Sequence, residues 1–326
     1  MRHRRGRRSK SIQIVVAGAA VILLAAVIVA AVRDDKPDPA RHAPARNLAL
    51  VHTLPSTPGT YLGVYATRGR VSYAGVRAFT RATGVTPNVA TYYSAWFEPF
   101  MTRFAVTAAE HGAVPLVQIN PAHVSLAAIA SGKYDAYLSD YAAAVRSYRH
   151  PVILSFGHEM NGQWFSWGYR HTSPETFISA WRHIVTLFRA LGTRNVTWLW
   201  TVNIIHSRTH LSPDPSPWWP GDSYVNWVGI DGYYYESSYA FAPLFGPTIV
   251  KVRRLTRDPI LIAETAAAPA AGQAAKITDL FKGVRAYGLL GFVWFNAPHY
   301  RDWRIYSPTA AAALRQGAKT YRLLNP

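Results

Sequence analysis

Apolar and polar positions along this chain follow two distinct periods. From residue 61 onward, short and mostly apolar runs alternate with longer stretches whose apolar residues recur every three or four positions. The first pattern belongs to buried strands, the second to helices with one buried face. Strands are predicted at 61–66, 88–93, 114–119, 152–156, 196–201, 227–230, 259–263 and 291–295. Helices are predicted at 71–83, 97–110, 134–147, 174–191, 243–255, 274–287 and 309–321. Thr172-Ser173-Pro174-Glu175 supplies a cap, a first-turn proline and an early acid. Gly84, Gly112, Gly192 and Gly288 sit just past helix ends, where a left-handed residue is wanted. The link 203–224 carries four prolines and no helical period, so it is predicted as a long surface loop.

Eight apolar strands alternating with helices imply a parallel sheet covered by helices. Eight strands close, and about 250 residues is the usual size of a (β/α)8 TIM barrel. That α/β fold is expected over residues 48–326. An open doubly wound sheet is the competing arrangement, but no glycine-rich phosphate turn follows the first strand.

Ahead of the barrel, residues 11–32 form a run of 22 positions without a charge. At 1.5 Å per helical residue this crosses a hydrocarbon core of about 30 Å. The basic segment 1–10 is expected to remain cytoplasmic, placing the rest outside. An uncleaved signal anchor fits the length better than a cleaved signal peptide, whose apolar stretch runs about 7–15 residues. Ala30 and Ala31 leave a cleavage point open. Residues 33–47, rich in Pro and Ala, are expected to be an extended linker.

Composition narrows the chemistry. With no Cys there are no disulfides, thiol nucleophiles or Cys-ligated metals. The net charge of +18 is partly the N-terminal tail; from Asn47 onward, 25 basic and 14 acidic residues are spread evenly. No stretch interleaves basic and aromatic residues, so nucleic acid is not an expected partner. Eleven Trp and nineteen Tyr suit sugar binding, although aromatics also pack ordinary cores.

In a barrel the reacting groups stand at the C-terminal strand ends. Three acids end apolar runs: Glu159 in PVILSFGHEMNG, Asp231 in VNWVGIDGYYY and Glu264 in PILIAETA. Any one of them alone has a structural explanation, as an acceptor for loop amides. Two carboxylates sharing one mouth suit glycoside hydrolysis, which needs one protonated and one ionised acid. No second His follows His158 at metalloprotease spacing, and no Gly-x-Ser-x-Gly elbow is present.

The run His158-Glu159-Met160-Asn161-Gly162, followed by Trp164 and Trp167, resembles the strand-four motif of glycoside hydrolase family 26. Gly229-Ile230-Asp231-Gly232-Tyr233 and Ile262-Ala263-Glu264-Thr265 resemble its strand-six and strand-seven motifs. That family contains β-mannanases and mixed-linkage β-glucanases of the retaining (β/α)8 clan. The resemblance implies Glu159 as general acid/base, Glu264 as nucleophile, His158 orienting the acid, and Tyr233 bonding the nucleophile with Asp231 positioning its loop. Asn161, Trp164, Trp167 and Trp294 are expected to contact sugar, although loop capping is an alternative for Asn161. Mannanases of the family usually carry Arg where this chain has Ser155, and often Gly at the position of Ala266. The expected protein is thus a membrane-tethered, extracytoplasmic, monomeric retaining glycosidase acting on β-mannan or β-glucan, without cofactor or metal. A non-hydrolytic polysaccharide-binding protein is the alternative. Trp218 and Trp219 are either a distal sugar platform or a pin for the long loop; His206 and His299 follow strands and either line the cleft or, as is rather expected, sit at the surface.

Overall fold

The computed structural model describes residues 54–67, 69–205, 212–299 and 301–321. The segments 1–10, 11–32 and 33–47, and with them the membrane span, lie outside the described residues, as does His206.

Eight strands form a closed parallel barrel in sequence order. They are β1 (Tyr61–Tyr65), β2 (Val89–Ala95), β3 (Val114–Asn120), β4 (Val152–Phe156), β5 (Val196–Asn203), β6 (Trp227–Asp231), β7 (Ile260–Thr265) and β8 (Gly291–Phe295). The helices are α1 (Ala74–Thr83), α2 (Thr102–Glu110), α3 (Leu126–Ala130), α4 (Asp135–Tyr148), α5 (Pro174–Ala190), α6 (Phe241–Leu255), α7 (Gln273–Ala286) and α8 (Pro308–Ala318). The barrel therefore follows the predicted alternation. Among the described residues the β5–β6 link holds only two 3-10 turns, Ser216–Trp218 and Asp222–Tyr224.

Two elements differ from expectation. The helix predicted over 97–110 begins only at Thr102, because Phe97 is left-handed (φ 74°) and Pro99 disfavours helix before it. The short α3 was not predicted; its cap is Ser125, whose hydroxyl accepts the Ala128 N–H.

Strand alternation sorts the core into two layers. Tyr61, Val89, Leu116, Ile153, Leu199, Trp227, Leu261 and Val293 fill the barrel interior. Residues of opposite parity, among them Phe156, Trp200 and Trp294, face the helices, and Phe156 packs with Phe177 and Trp181 of α5. The interior narrows to Ser155 and Thr201 beneath the open end, their hydroxyls 3.0 Å apart.

Candidate active site

At the C-terminal end of β4 the chain turns through Gly157 and Glu159, both left-handed (φ 55° and 54°). A side-chain carbon at Gly157 would press on Phe177 at 3.0 Å and Trp167 at 3.2 Å, so glycine suits the position twice over. Glu159 lacks that freedom and is held by its neighbour: its backbone N–H donates to the Thr201 carbonyl on β5 at 2.9 Å. Backbone strain of about 1–3 kcal/mol per residue collects at functional sites. The Glu159 carboxylate receives two N–H donors, Asn203 Nδ2 at Oε1 and Trp164 Nε1 at Oε2, each at 2.7 Å. Gly162 permits the second contact, since a Cβ there would lie 2.3 Å from the Trp164 ring.

Glu264 reaches the same cleft by another device. Leu261 and Ala263 of β7 face the interior, so plain alternation turns residue 264 toward the helices. A bulge intervenes: Gly229 pairs with Leu261, but Asp231 pairs with Glu264. On the other side Ile262 pairs with Phe292 and Thr265 with Trp294. The extra residue re-aims Glu264 inward. The Tyr233 hydroxyl donates to its Oε1.

Both carboxylates line one open cleft of about 630 Å³. One wall is aromatic: Tyr65 packs on Phe295 at 4.7 Å and Tyr233 on Trp303 at 4.7 Å. Burial pushes Glu264 up to about 8. Burial also raises Glu159, opposed by the donors from Asn203 and Trp164, which favour the ionised form. Asp231 is fully buried beside them, and neither oxygen has a hydrogen-bond partner among the described residues. Burial and the neighbouring Glu159 hold Asp231 well above the usual carboxylate range, which favours its neutral form. His158 is pushed by burial to about 3 and is neutral, its ring packed against Tyr93 (5.4 Å) and Phe165 (4.9 Å).

The sequence profile of Glycosyl hydrolase family 26 matches residues 123–303. The chain belongs to this family. Endoglucanase H of Acetivibrio thermocellus is 31% identical over 265 residues, covering 75% of this chain and 29% of that protein. A mannan endo-1,4-beta-mannosidase of Thermothelomyces thermophilus is 29% identical over 155 residues, covering 46% and 27%. The chain thus spans less than a third of the length of these curated relatives. A modular endo-beta-1,4-mannanase from Cellulomonas fimi shares the fold, with a TM-score of 0.64, 17% identity, and 82% and 72% of the two chains covered. The GH26 beta-mannanase from Bacteroides ovatus does so at 0.61, with 18% identity and 82% and 90% covered.

In this family 26 chain Glu159, Glu264, His158, Tyr233 and Trp164 meet at the cleft. Three residues expected to contact sugar do not line the cleft. Asn161 is fully buried; its amide donates to Asn203 O, Ser212 Oγ and Pro213 O, and its Oδ1 accepts the Asn203 N–H. It pins the β5–β6 loop and the strand that carries Asn203, which is the loop-capping alternative. Trp167 is buried, stacked on Phe165 at 4.3 Å, and supports that ring from behind. Trp294 lies at an outward position of β8 and donates its indole N–H to Trp303 O at 3.2 Å, so Trp303 and not Trp294 faces the cleft. Trp218 is buried and Trp219 meets Trp200 edge-on at 4.9 Å, which makes that pair a pin for the loop. His299, expected at the surface, lines the cleft. Asn203, Tyr65, Phe295 and Tyr235 were missed. Each ends or follows a strand at the open rim, the signal that singled out the acids.

Proposed function

We propose that this chain is a retaining, endo-acting glycoside hydrolase that cuts a β-linked polysaccharide by double displacement, with Glu159 as general acid/base and Glu264 as nucleophile. The reading is carried by one observation: two carboxylates, each with its own hydrogen-bond donors, buried in one aromatic-walled cleft of a family 26 chain. In the first step Glu264 attacks the anomeric carbon while Glu159 protonates the departing oxygen. A glycosyl ester forms on Glu264; water, deprotonated by Glu159, then hydrolyses it.

The donors suit both halves of this cycle. Asn203 and Trp164 stabilise the ionised Glu159 that the second step requires. Burial raises Glu264. Positive charge developing on the bound sugar beside it favours its ionised form, assisted by Tyr233. Neutral His158 and neutral Asp231 add no charge that would lock either carboxyl in one state.

Of the two expected polymers, β-glucan is the better supported. Similarity to Endoglucanase H runs through 75% of this chain, against 46% for the fungal mannosidase. The Ser155 hydroxyl bonds to that of Thr201 where mannanases of the family carry Arg, which removes a fixed cation below the acids. Residues 11–32 are proposed to anchor the enzyme outside the cell; release of full-length protein by carbonate washing of membranes contradicts this.

The test is a screen of mixed-linkage β-glucan, mannan and xylan for new reducing ends, with product anomers followed by NMR. Hydrolysis with the β-anomer formed first is expected, abolished in Glu264→Gln and cut by ~10²–10⁴ in Glu159→Gln, while polymer binding persists in both. Binding without release of reducing ends from any polymer favours the non-hydrolytic alternative.

A further inference from the structure

β2 ends at Ala95, and the chain crosses the rim of the barrel through Trp96, Phe97 and Glu98 before α2. Glu98 closes this turn: its N–H donates to Ala95 O at 3.1 Å and its carboxylate accepts the Ala95 N–H at 2.7 Å. Phe97 stands at its apex with φ 74° and 59% of its surface exposed. Folding explains neither property. A bulky residue at positive φ is strained, and glycine makes the same turn without cost. An exposed phenyl ring also forgoes much of the burial that would offset the strain.

The ring is nevertheless held in a fixed pose. Tyr134 and Tyr137, at the start of α4, meet it edge-on at 5.7 and 5.5 Å. The Tyr137 hydroxyl donates to Glu98 O at 3.0 Å, tying the frame to the turn. Tyr93, four residues before Phe97, lines the cleft, and Ala95 pairs with cleft-lining Asn120. A chain advances at most ~3.6 Å per residue, so Phe97 lies within roughly 14 Å of Tyr93. On the neighbouring loop, three residues past Asn120, exposed His123 is also left-handed (φ 63°).

We infer that Phe97, framed by Tyr134 and Tyr137, is a distal platform on which a sugar ring of the polysaccharide stacks as the polymer leaves the cleavage cleft. The flat C–H face of a β-linked pyranose matches the electron-rich face of an aromatic ring. The inference rests on the proposed polysaccharide hydrolase activity, and strain retained at an exposed ring is what a ligand contact requires.

The test compares full-length wild type with Phe97→Gly and Phe97→Ala on mixed-linkage β-glucan and on the shortest oligosaccharide that wild type cleaves. Polymer kcat/KM is expected to fall roughly two- to tenfold through KM, as for loss of one aromatic contact, with the short substrate unchanged. Phe97→Gly is expected to melt no lower than wild type. An unchanged polymer KM, equal losses on both substrates, or a lower melting temperature for Phe97→Gly overturns the platform. If wild type cleaves nothing, the hydrolase reading has failed. The platform is then judged separately by mobility in a native gel containing the polymer, where Phe97→Gly must migrate faster than wild type.

Discussion

Glu264→Gln tests the electrostatics of the cleft through stability and needs no substrate. In the folded chain burial raises Glu264 from its ordinary 4.5 to about 8. The native state therefore prefers the neutral acid. That contribution to stability is fully present below pH 4.5 and is lost as pH climbs through about 8, where folding forces an anion into a buried site. At about 1.36 kcal/mol per unit, the displacement sets an upper bound of about 5 kcal/mol. Water entering the open cleft screens the charge and reduces the effect to about 1–3 kcal/mol. Glutamine keeps an acceptor for the Tyr233 hydroxyl and has no proton to lose. Melting curves of wild type and Glu264→Gln at matched pH from 4.5 to 9 are expected to coincide at the acid end. They should diverge as pH rises, with the variant higher by roughly 2–12 °C at pH 9, given ~2–4 °C per kcal/mol for domains of this size. A pH-independent gap, or a variant that becomes relatively less stable toward alkaline pH, refutes the buried, proton-retaining Glu264.

Four further outcomes follow from the same geometry. Glu159→Gln should lower polymer turnover by ~10²–10⁴. Aryl glycosides whose leaving group needs no proton should lose far less in the first step, as a product burst would register. Tyr233→Phe removes the donor to Glu264 Oε1, which disfavours the anion. The basic limb of the kcat/KM profile, where the last proton leaves the carboxyl pair near pH 8, should therefore move to higher pH. Trp164→Phe keeps an aromatic face but strips Glu159 Oε2 of its donor. Single-turnover kinetics should show the ester-hydrolysis step, which needs ionised Glu159, slowed by roughly tenfold. Trp294→Phe leaves the buried Trp303 carbonyl without its indole donor and should cost about 1–3 kcal/mol of stability in urea titrations. Its effect on kcat should be small, since Trp294 touches no cleft surface.

Much of this was legible in the chain because a barrel converts local patterns directly into architecture. Eight apolar runs separated by helical periods close in sequence order, and the four prolines in 203–224 forecast a link that shows no α-helix among the described residues. Acids at the ends of β4, β6 and β7 come together because the closed parallel barrel brings those ends to one rim, with β6 and β7 paired directly. What was illegible depends on which way a side chain points. Glu264 faces the cleft only because a bulge reverses the alternation of β7, and a bulge leaves no mark in composition. Trp294 carried the opposite error: its indole looked like a sugar face, but its parity on β8 turns it to the helices and leaves Trp303 at the mouth. Asn161 sits in the motif beside the acid yet spends its side-chain hydrogen bonds on the end of β5 and the loop after it, partners 42 to 52 residues away that no local pattern predicts. Phe97 fell inside a predicted helix because its left-handed turn depends on Glu98 reaching back to Ala95.

The covalent step is the claim on which the remaining chemistry stands, and a 2-deoxy-2-fluoro glycoside with a good leaving group isolates it. The Glu264 carboxylate displaces the leaving group from the anomeric carbon faster than water hydrolyses the resulting fluoroglycosyl ester, so the ester persists for mass spectrometry. One added sugar per chain, located by peptide mapping at Glu264 and absent from Glu264→Gln, is the predicted result. A label on Glu159 or Asp231, or an unlabelled enzyme that still turns over polymer, would contradict it.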